Sequence, residues 1–516
     1  MSFAQPSVIQ LHSSDHVAVA APSLARGDQF TVATRTISTV SEVRFGHKVA
    51  LTAIPAEAPI LKYGQVIGYA TQPISPGEHV HTHNMQLGEL HLDYATASET
   101  PLSPDPIRDR TFDGYLRADG RAGTRNYIAV ISTVNCSASV AKYVAQAFDR
   151  RKLADFPNID GVIPFTHQSG CGMQFGGDAH ATLNRVMGGI ARHPNIGGYL
   201  LIGLGCETGA MGYLVSQEQL IQLDDDVSQP AGAPLILSMQ DQGGTANTIA
   251  AGVARLTEML PRVNDVRRQP ISASEIVLAT ECGGSDAYSG VTANPALGAA
   301  ADRIVATGGV AILAETPEIF GAEHLLTRRA VSGAVAEKLI ERIAWWQRYV
   351  GMFGAQLDNN PSPGNKEGGL TTIAEKSLGA VAKAGRTALV DVLQYAEAPQ
   401  KRGLMVMDTP GYDPASVTGM VAGGANVVAF TTGRGSCFGC KPAPSIKIAT
   451  NTPMYQRMVD DMDVNAGEIL SGVSVDAMGA KIFEEILAVA SGKPTKSEAL
   501  GIGEEEFVPW LVGPTL

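Results

Sequence analysis

Apolar runs that end in Gly, Cys or Glu and then give way to helical periodicity recur along most of this chain. That rhythm restricts it to layered α/β architecture with mostly parallel strands. Tyr127 to Val134 precedes a helical stretch from Ser137 to Arg150, and Tyr199 to Gly203 leads into Cys206. Glu275 to Thr280 leads into Cys282, and Val310 to Ala314 into Glu315. Ala388 to Val392, Gly403 to Met407 and Asn426 to Thr432 read as strands of a C-terminal α/β unit. In such folds the chemistry sits at the C-terminal ends of the strands.

Ahead of this region the period changes. From about Ser7 to Leu90, short alternating runs (Val17 to Ala20, Lys48 to Leu51, Gln65 to Ala70) are separated by Gly, Pro and Asp turns, the pattern of a small β-domain. A stretch rich in Ser, Thr, Pro and Asp follows, as expected of a linker. A chain of 516 residues exceeds one hydrophobic core. The expected units are a β-domain over 1–95, a linker over 96–112 and two α/β domains over 113–265 and 266–516. The β-domain is read as a lid, removable without unfolding the rest, that brings His47, Lys48, His79 and His81 to the main site.

A formal charge of −12 argues against a nucleic-acid surface but leaves room for a local pocket that binds a small anion. No leader pattern and no membrane-length apolar run is evident, so a cytoplasmic location without membrane contact is expected. In a reducing compartment the six cysteines are better candidates for metal ligation or catalysis than for disulfides.

Four of those thiols stand in Gly-, polar- or acid-rich segments: Cys136, Cys171, Cys206 and Cys282. A thiol buried only for packing has no need of adjacent glycines and carboxylates. The expectation is a metal-dependent enzyme in which the four converge in one cleft with His167, four residues before Cys171. Cys437 and Cys440 form a lone C-x-x-C, read as two spare thiols in a Gly-rich loop.

The run Glu281-Cys-Gly-Gly-Ser285-Asp286, continuing through Thr292 and Asn294, is dense in hydrogen-bonding groups and suits a small polyol. Glu315, at the end of an apolar run, is read as a general base or a hard metal ligand; Glu318 and Glu323 read as acids at a helix start. Asn365 and Lys366 lie in a Pro/Gly segment over 359–369, read as an ordered loop. With Arg434 between two glycines, they are expected to hold a carboxylate. His79, His81 and His83 would share one face of a strand, a disposition that can hold a divalent metal, with His47 and Lys48 contributing from a neighbour.

Together these segments resemble the altronate/galactarate dehydratase family over nearly the whole chain. The N-terminal part is similar to its SAF domain in Gly46 to Leu51, Lys62 to Gly64 and Glu78 to Asn84. The body carries Asp119 to Asn126, Gly203 to Glu207, Glu281 to Asp286, Ser289 to Pro295, Asn360 to Lys366 and Thr431 to Gly435. The His-rich stretch and Ser445 to Asn451 look more like the altronate branch. The resemblance implies a hydro-lyase that removes water across C2–C3 of a sugar acid, giving a 2-keto-3-deoxy acid; a homo-oligomer, a dimer, is expected. It also implies substrates that vary within the family, a sulfonated hydroxy acid among them. Glu315, His167, Glu281, Asp286 and Lys366 are then the candidates for acid–base work. Ferrous iron is the implied cofactor, held by Cys136, His167, Cys171, Cys206 and Cys282, with Mn²⁺ or an iron–sulfur cluster on three thiolates as alternatives. A non-catalytic sugar-acid-binding protein is the reading from another class.

Overall fold

Strand runs legible in the sequence become three bodies in the computed structural model, which describes residues 7–208, 211–218, 220 and 235–512. Residues 1–6 of the expected first domain and 513–516 of the last lie outside the described residues. The N-terminal body is all β. One antiparallel sheet orders Val8–Ile9, Val17–Ala20, Lys48–Ala50 and His79–Val80; another orders Pro59–Lys62, Gln65–Ala70 and Met85–Gln86; a hairpin joins Gln29–Val32 to Arg35–Ser38.

The middle body is a parallel sheet in the order Gly161–Phe165, Tyr127–Ser132, Ile196–Gly203, Ile236–Ser238. The large C-terminal sheet has seven parallel strands in the order Leu389–Leu393, Gly403–Met407, Val310–Leu313, Val277–Cys282, Val427–Thr432, Ser445–Ala449, Val464–Asn465. Its central strands are buried along all but one residue, Val277, which is why they open as apolar runs rather than alternating ones. A small antiparallel sheet ties Thr111–Leu116 to Gln269–Ser272, so the entry to the middle body is stitched to the start of the C-terminal one.

Two departures from the sequence reading concern the joints. The Ser/Thr/Pro/Asp stretch is not a free tether: Ala97 N–H donates to Thr327 O, Glu99 N–H to Arg328 O, and Ile107 N–H to Ala306 O, each at 2.9 Å. Nor is the β-domain separable. Val17, Ile54, Ile60, Ile67 and Met85 lie in the same apolar core as Leu278, Leu297 and Leu313 of the C-terminal body. Deleting residues 1–95 would strip that core and expose it to water.

The helices Asp178–Ala191 and Asp413–Ala422 fill the layer between the two parallel sheets, where Leu183, Val186, Met187 and Ile190 share a core with Val417, Met420 and Val421.

Candidate active site

Every parallel strand of the C-terminal sheet points its C-terminal end at one region. Register pairs Cys282 with Thr431 and Val277 with Val310, so Cys282, Glu315 and Arg434 leave adjacent strands at a common edge. The segment expected to be an irregular loop at 359–369 contains a short helix, Pro363–Glu367. Ser362 and Asn365 close its N-terminus with a reciprocal capping box, and Pro363 at its start needs no N–H partner. Asn365 is thereby spent on local structure, its amide also donating to Ser285 O at 2.8 Å.

The helix is gripped by imidazoles of the β-domain. His47 Nε2 lies 3.1 Å from Glu367 O and His81 Nε2 lies 2.9 Å from Lys366 O. A carbonyl only accepts, so both rings carry their proton on Nε2. His47 Nδ1 is then an acceptor for His79 Nε2–H at 3.0 Å, which leaves the Nδ1 lone pair of His79 without a proton. The expectation of a shared strand face is corrected: only His79–Val80 is strand, and a turn closed by Asn84 carries His81 and His83 back onto His79. The ring centroids still lie 5.0–5.5 Å apart. Burial lowers His47, and pushes His79 down to about 3 and His81 to about 4, so all three are neutral near pH 7. They line a cleft of about 600 Å³ with Glu42, Arg44, Lys366 and Glu367.

A second cluster lies at the strand ends behind the Gly283-Gly284 turn. Lys383, fully buried, donates to Cys282 Sγ at 2.9 Å and to the Glu315 carboxylate. Burial opposes its charge, but Cys282 and Glu315 against it hold its pKa above the usual lysine range. Burial, reinforced by Glu315, pushes the Cys282 thiol up, so it is a neutral thiol rather than a ready thiolate. Lys376 donates to Glu318 at 2.6 Å and Asn360 to the same oxygen at 2.7 Å. Glu281 accepts from Ser416 at 2.8 Å on one oxygen, while its buried Oε1 has no partner. Glu315 sits in the left-handed region at φ 64°, a conformation a β-carbon disfavours and that is held here by the Thr409 hydroxyl accepting its N–H at 2.7 Å. Gly283 permits the crowding: a Cβ there would stand 2.1 Å from Asp413 Oδ2.

Two donor sets in this cluster lie within 4.8 Å: Cys282, Glu315 and Glu318, and Glu281, Glu315 and Asp413. The first already holds a cation, the Lys383 ammonium. The second fits a hard or borderline divalent ion. It offers three carboxylates and the orphaned Glu281 oxygen, and burial first, then Glu315, pushes Asp413 up to about 7.

The expected five-ligand iron site is corrected on this ground. Cys282 ends a strand of the C-terminal sheet and turns to Lys383 and Glu315, whereas Cys136, Cys171 and Cys206 follow strands of the middle sheet. His167 is buried beside that second group, Nδ1 accepting from Ser169 N–H at 3.2 Å and Nε2 unpartnered; burial pushes it down to about 4. Cys437 is exposed and Cys440 buried.

Several expected substrate contacts are instead structural. Lys48 donates to Glu375 at 2.9 Å and Gly369 O at 2.8 Å, and Lys62 to the other Glu375 oxygen at 2.8 Å, all buried. Thr292 donates to Thr450 O, and Asn294 bridges Gly379 O and the Thr431 hydroxyl. Asp286 is buried and accepts from Ser289, Thr450 and Asn451. Ser285 keeps a buried, unpartnered hydroxyl, and Arg434 reaches Glu367 at 3.1 Å from an exposed position.

Lys376, Lys383 and Asp413 went unread in the sequence, and Glu318 was set aside. A signal was present: Glu375, Lys376 and Lys383 interrupt an otherwise small and apolar stretch, Ile373–Ala380 and Val381–Ala384, where solvated charges have no place.

These residues build an α/β enzyme site with acid–base and cation-binding groups gathered at strand ends. Family profiles match the chain in three consecutive parts: the altronate/galactarate dehydratase SAF domain over 6–88, the D-galactarate dehydratase/altronate hydrolase second domain over 114–264, and the D-galactarate/altronate dehydratase C-terminal domain over 273–515. Galactarate dehydratase (L-threo-forming) of Escherichia coli is 40% identical over 94% of this chain and 93% of its own. Altronate dehydratase of Bacillus subtilis is 35% identical over 95% and 96%. The (2R)-sulfolactate sulfo-lyase subunit beta of Chromohalobacter salexigens is 33% identical over 78% and 97%. The chain belongs to the galactarate/altronate dehydratase family, and the relatives support an enzyme of the hydro-lyase type. The altronate-like motifs therefore coexist with a higher identity to a galactarate dehydratase.

Proposed function

We propose that this protein removes water across C2–C3 of a sugar acid to give a 2-keto-3-deoxy acid. The observation that carries the reading is the cleft in which neutral His47, His79 and His81 face the cations Lys366 and Arg44. Such a site binds a carboxylate and moves a proton at one place. Lys366, with Arg434 at the far side of Glu367, holds the substrate carboxylate by charge-assisted hydrogen bonds. The carboxylate's C2 proton is weakly acidic, so a base must take it while positive charge stabilises the enediolate. Of these three rings, His79 keeps the Nδ1 lone pair that the hydrogen-bond network leaves free, an acceptor for a substrate hydroxyl.

A ferrous or manganous ion would be held by Glu281, Glu315 and Asp413 and would supply Lewis acidity toward a substrate oxygen. Lys383 balances the remaining charge of Glu315.

The test is product analysis with a panel of aldonates and aldarates, altronate and galactarate among them, on metal-supplemented protein. Formation of a 2-keto-3-deoxy acid with one C2 hydrogen lost to solvent is expected. Sulfite release from a sulfonated hydroxy acid alone, or tight binding without turnover, would replace the reading.

A further inference from the structure

Two cavities, of about 650 and 370 Å³, meet beneath the Ser/Thr/Pro/Asp stretch and share Pro104 and Ala306 as walls. Gly308 and Gly403 place them where strands of the C-terminal sheet begin, at the edge opposite Cys282 and Glu315. Their roof is preformed. Pro101, Pro104 and Pro106 each fix one backbone angle, and Ile107 N–H ties the stretch to Ala306 O, at the end of the helix Ala293–Ala306.

The inner wall is a loop held from both sides. Asp302 accepts from Arg386 N–H at 2.8 Å and Thr387 N–H at 3.1 Å, while the Arg329 guanidinium donates to Gly385 O at 2.7 Å and Thr387 O at 2.9 Å. The backbone of 385–387 is thereby engaged, and its side chains are left over. The Thr387 hydroxyl is buried with no hydrogen-bond partner.

Charge points the same way. Acids outnumber Lys and Arg by 51 to 39, enough to pair any surface cation, and Arg110 and Arg402 beside these cavities do pair, with Glu484 and Glu275. Arg108, Arg303 and Arg386 do not: among the described residues none of these three guanidiniums has an ion pair or a hydrogen bond. Asp302 is spent on backbone N–H groups, and Asp476, which also lines the smaller cavity, pairs with neither of its arginines. Guanidinium forks match carboxylate and phosphate oxygens alike, and a concave wall concentrates their field.

We propose that these joined cavities bind a small polyanion, a polycarboxylate or a phosphate ester, held by Arg303, Arg386 and Arg108 with the Thr387 hydroxyl as a neutral donor. The site reaches the chemistry by a short path. Lys383, the cation of the carboxylate cluster, stands on the turn Val381–Ala384, three residues before Arg386. An anion that fixes Arg386 therefore orders the segment that carries Lys383.

The experiment is calorimetric titration of the full-length chain in chelator, so that metal uptake by the probes plays no part. The probes are pyrophosphate and, separately, tricarballylate, with ionic strength held constant by chloride. At least one should bind with Kd below about 1 mM. Tighter binding of the first assigns the site to phosphates, and of the second to carboxylates. Arg303→Gln and Arg386→Gln should each weaken binding about ten- to a hundred-fold with the melting temperature of the free protein unchanged. Lys366→Met, which removes a cation of the histidine-lined cleft, should leave binding intact. Hydrogen exchange in 101–110 and 381–387 should slow when the probe is bound. Absence of binding at about 1 mM, binding that survives the double substitution of Arg303 and Arg386, or protection confined to 42–48 and 363–369 of the cleft would each overturn the proposal. No sugar acid and no turnover enter these measurements, so they stand or fall apart from the dehydratase reading.

Discussion

Lys48 of the β-domain and Glu375 of the C-terminal body meet 2.9 Å apart with both side chains fully buried, and Lys62 completes the triad on the second carboxylate oxygen. Burial opposes the Glu375 charge, but the two ammoniums overcome it and hold the carboxyl well below its usual range. Removing one member of such a group leaves an uncompensated buried charge, a loss of about 3–5 kcal/mol. Glu375→Gln should therefore lower the melting temperature sharply and loosen the β-domain, seen as faster hydrogen exchange in residues 48–50. An unchanged melting curve would mean that the triad does not fasten the domains.

Asp413 gives a pH signature. Its carboxyl, pushed up to about 7 in the folded protein by burial and then by Glu315 and Glu318, keeps a proton that the unfolded chain surrenders near pH 4. The folded state therefore binds more protons between about pH 4 and 7, and stability falls as pH rises through that window. At about 1.4 kcal/mol per unit, the effect is at most about 4 kcal/mol. Melting followed against pH in chelator should show the decline, and Asp413→Asn should flatten it. An identical slope in the variant would remove Asp413 as its source.

Lys366→Met should cut kcat/KM for the acid about ten- to a hundred-fold with little change in melting temperature, the scale of one charge-assisted contact. Arg434→Lys should also be harmful, because an ammonium cannot reproduce the guanidinium fork. Kinetics untouched by either change would move the carboxylate site elsewhere.

Chelation should abolish turnover and Fe²⁺ with a thiol should restore it, since a carboxylate set such as Glu281, Glu315 and Asp413 holds a divalent ion exchangeably. Full activity in exhaustively chelated, metal-free protein is the outcome that refutes this.

Much of the architecture was legible because buried parallel strands write themselves as apolar runs, Gly403–Met407 matching its run residue for residue, and because half-buried antiparallel strands alternate, as Gln65–Ala70 does. The helix Pro363–Glu367 was not, because two prolines and three glycines in the segment mask a capping box that only Ser362 and Asn365 reveal. The cysteines were seen as a group, yet which sheet each strand joins is a long-range property that local pattern does not encode. Cys282 was therefore grouped with three thiols of another layer. Lys48 was assigned to the substrate for a related reason: a cation beside a histidine-rich stretch reads as free for a ligand until its buried partner, 327 residues away, is known.

The β-domain holds the 363–367 helix through the main-chain oxygens of Lys366 and Glu367, not through their side chains. His47 and His81 would keep their grip whatever residues stood at those two positions. A lineage could thus exchange the groups that face the cleft, and drift from one acid to another, without renegotiating how its domains are fastened.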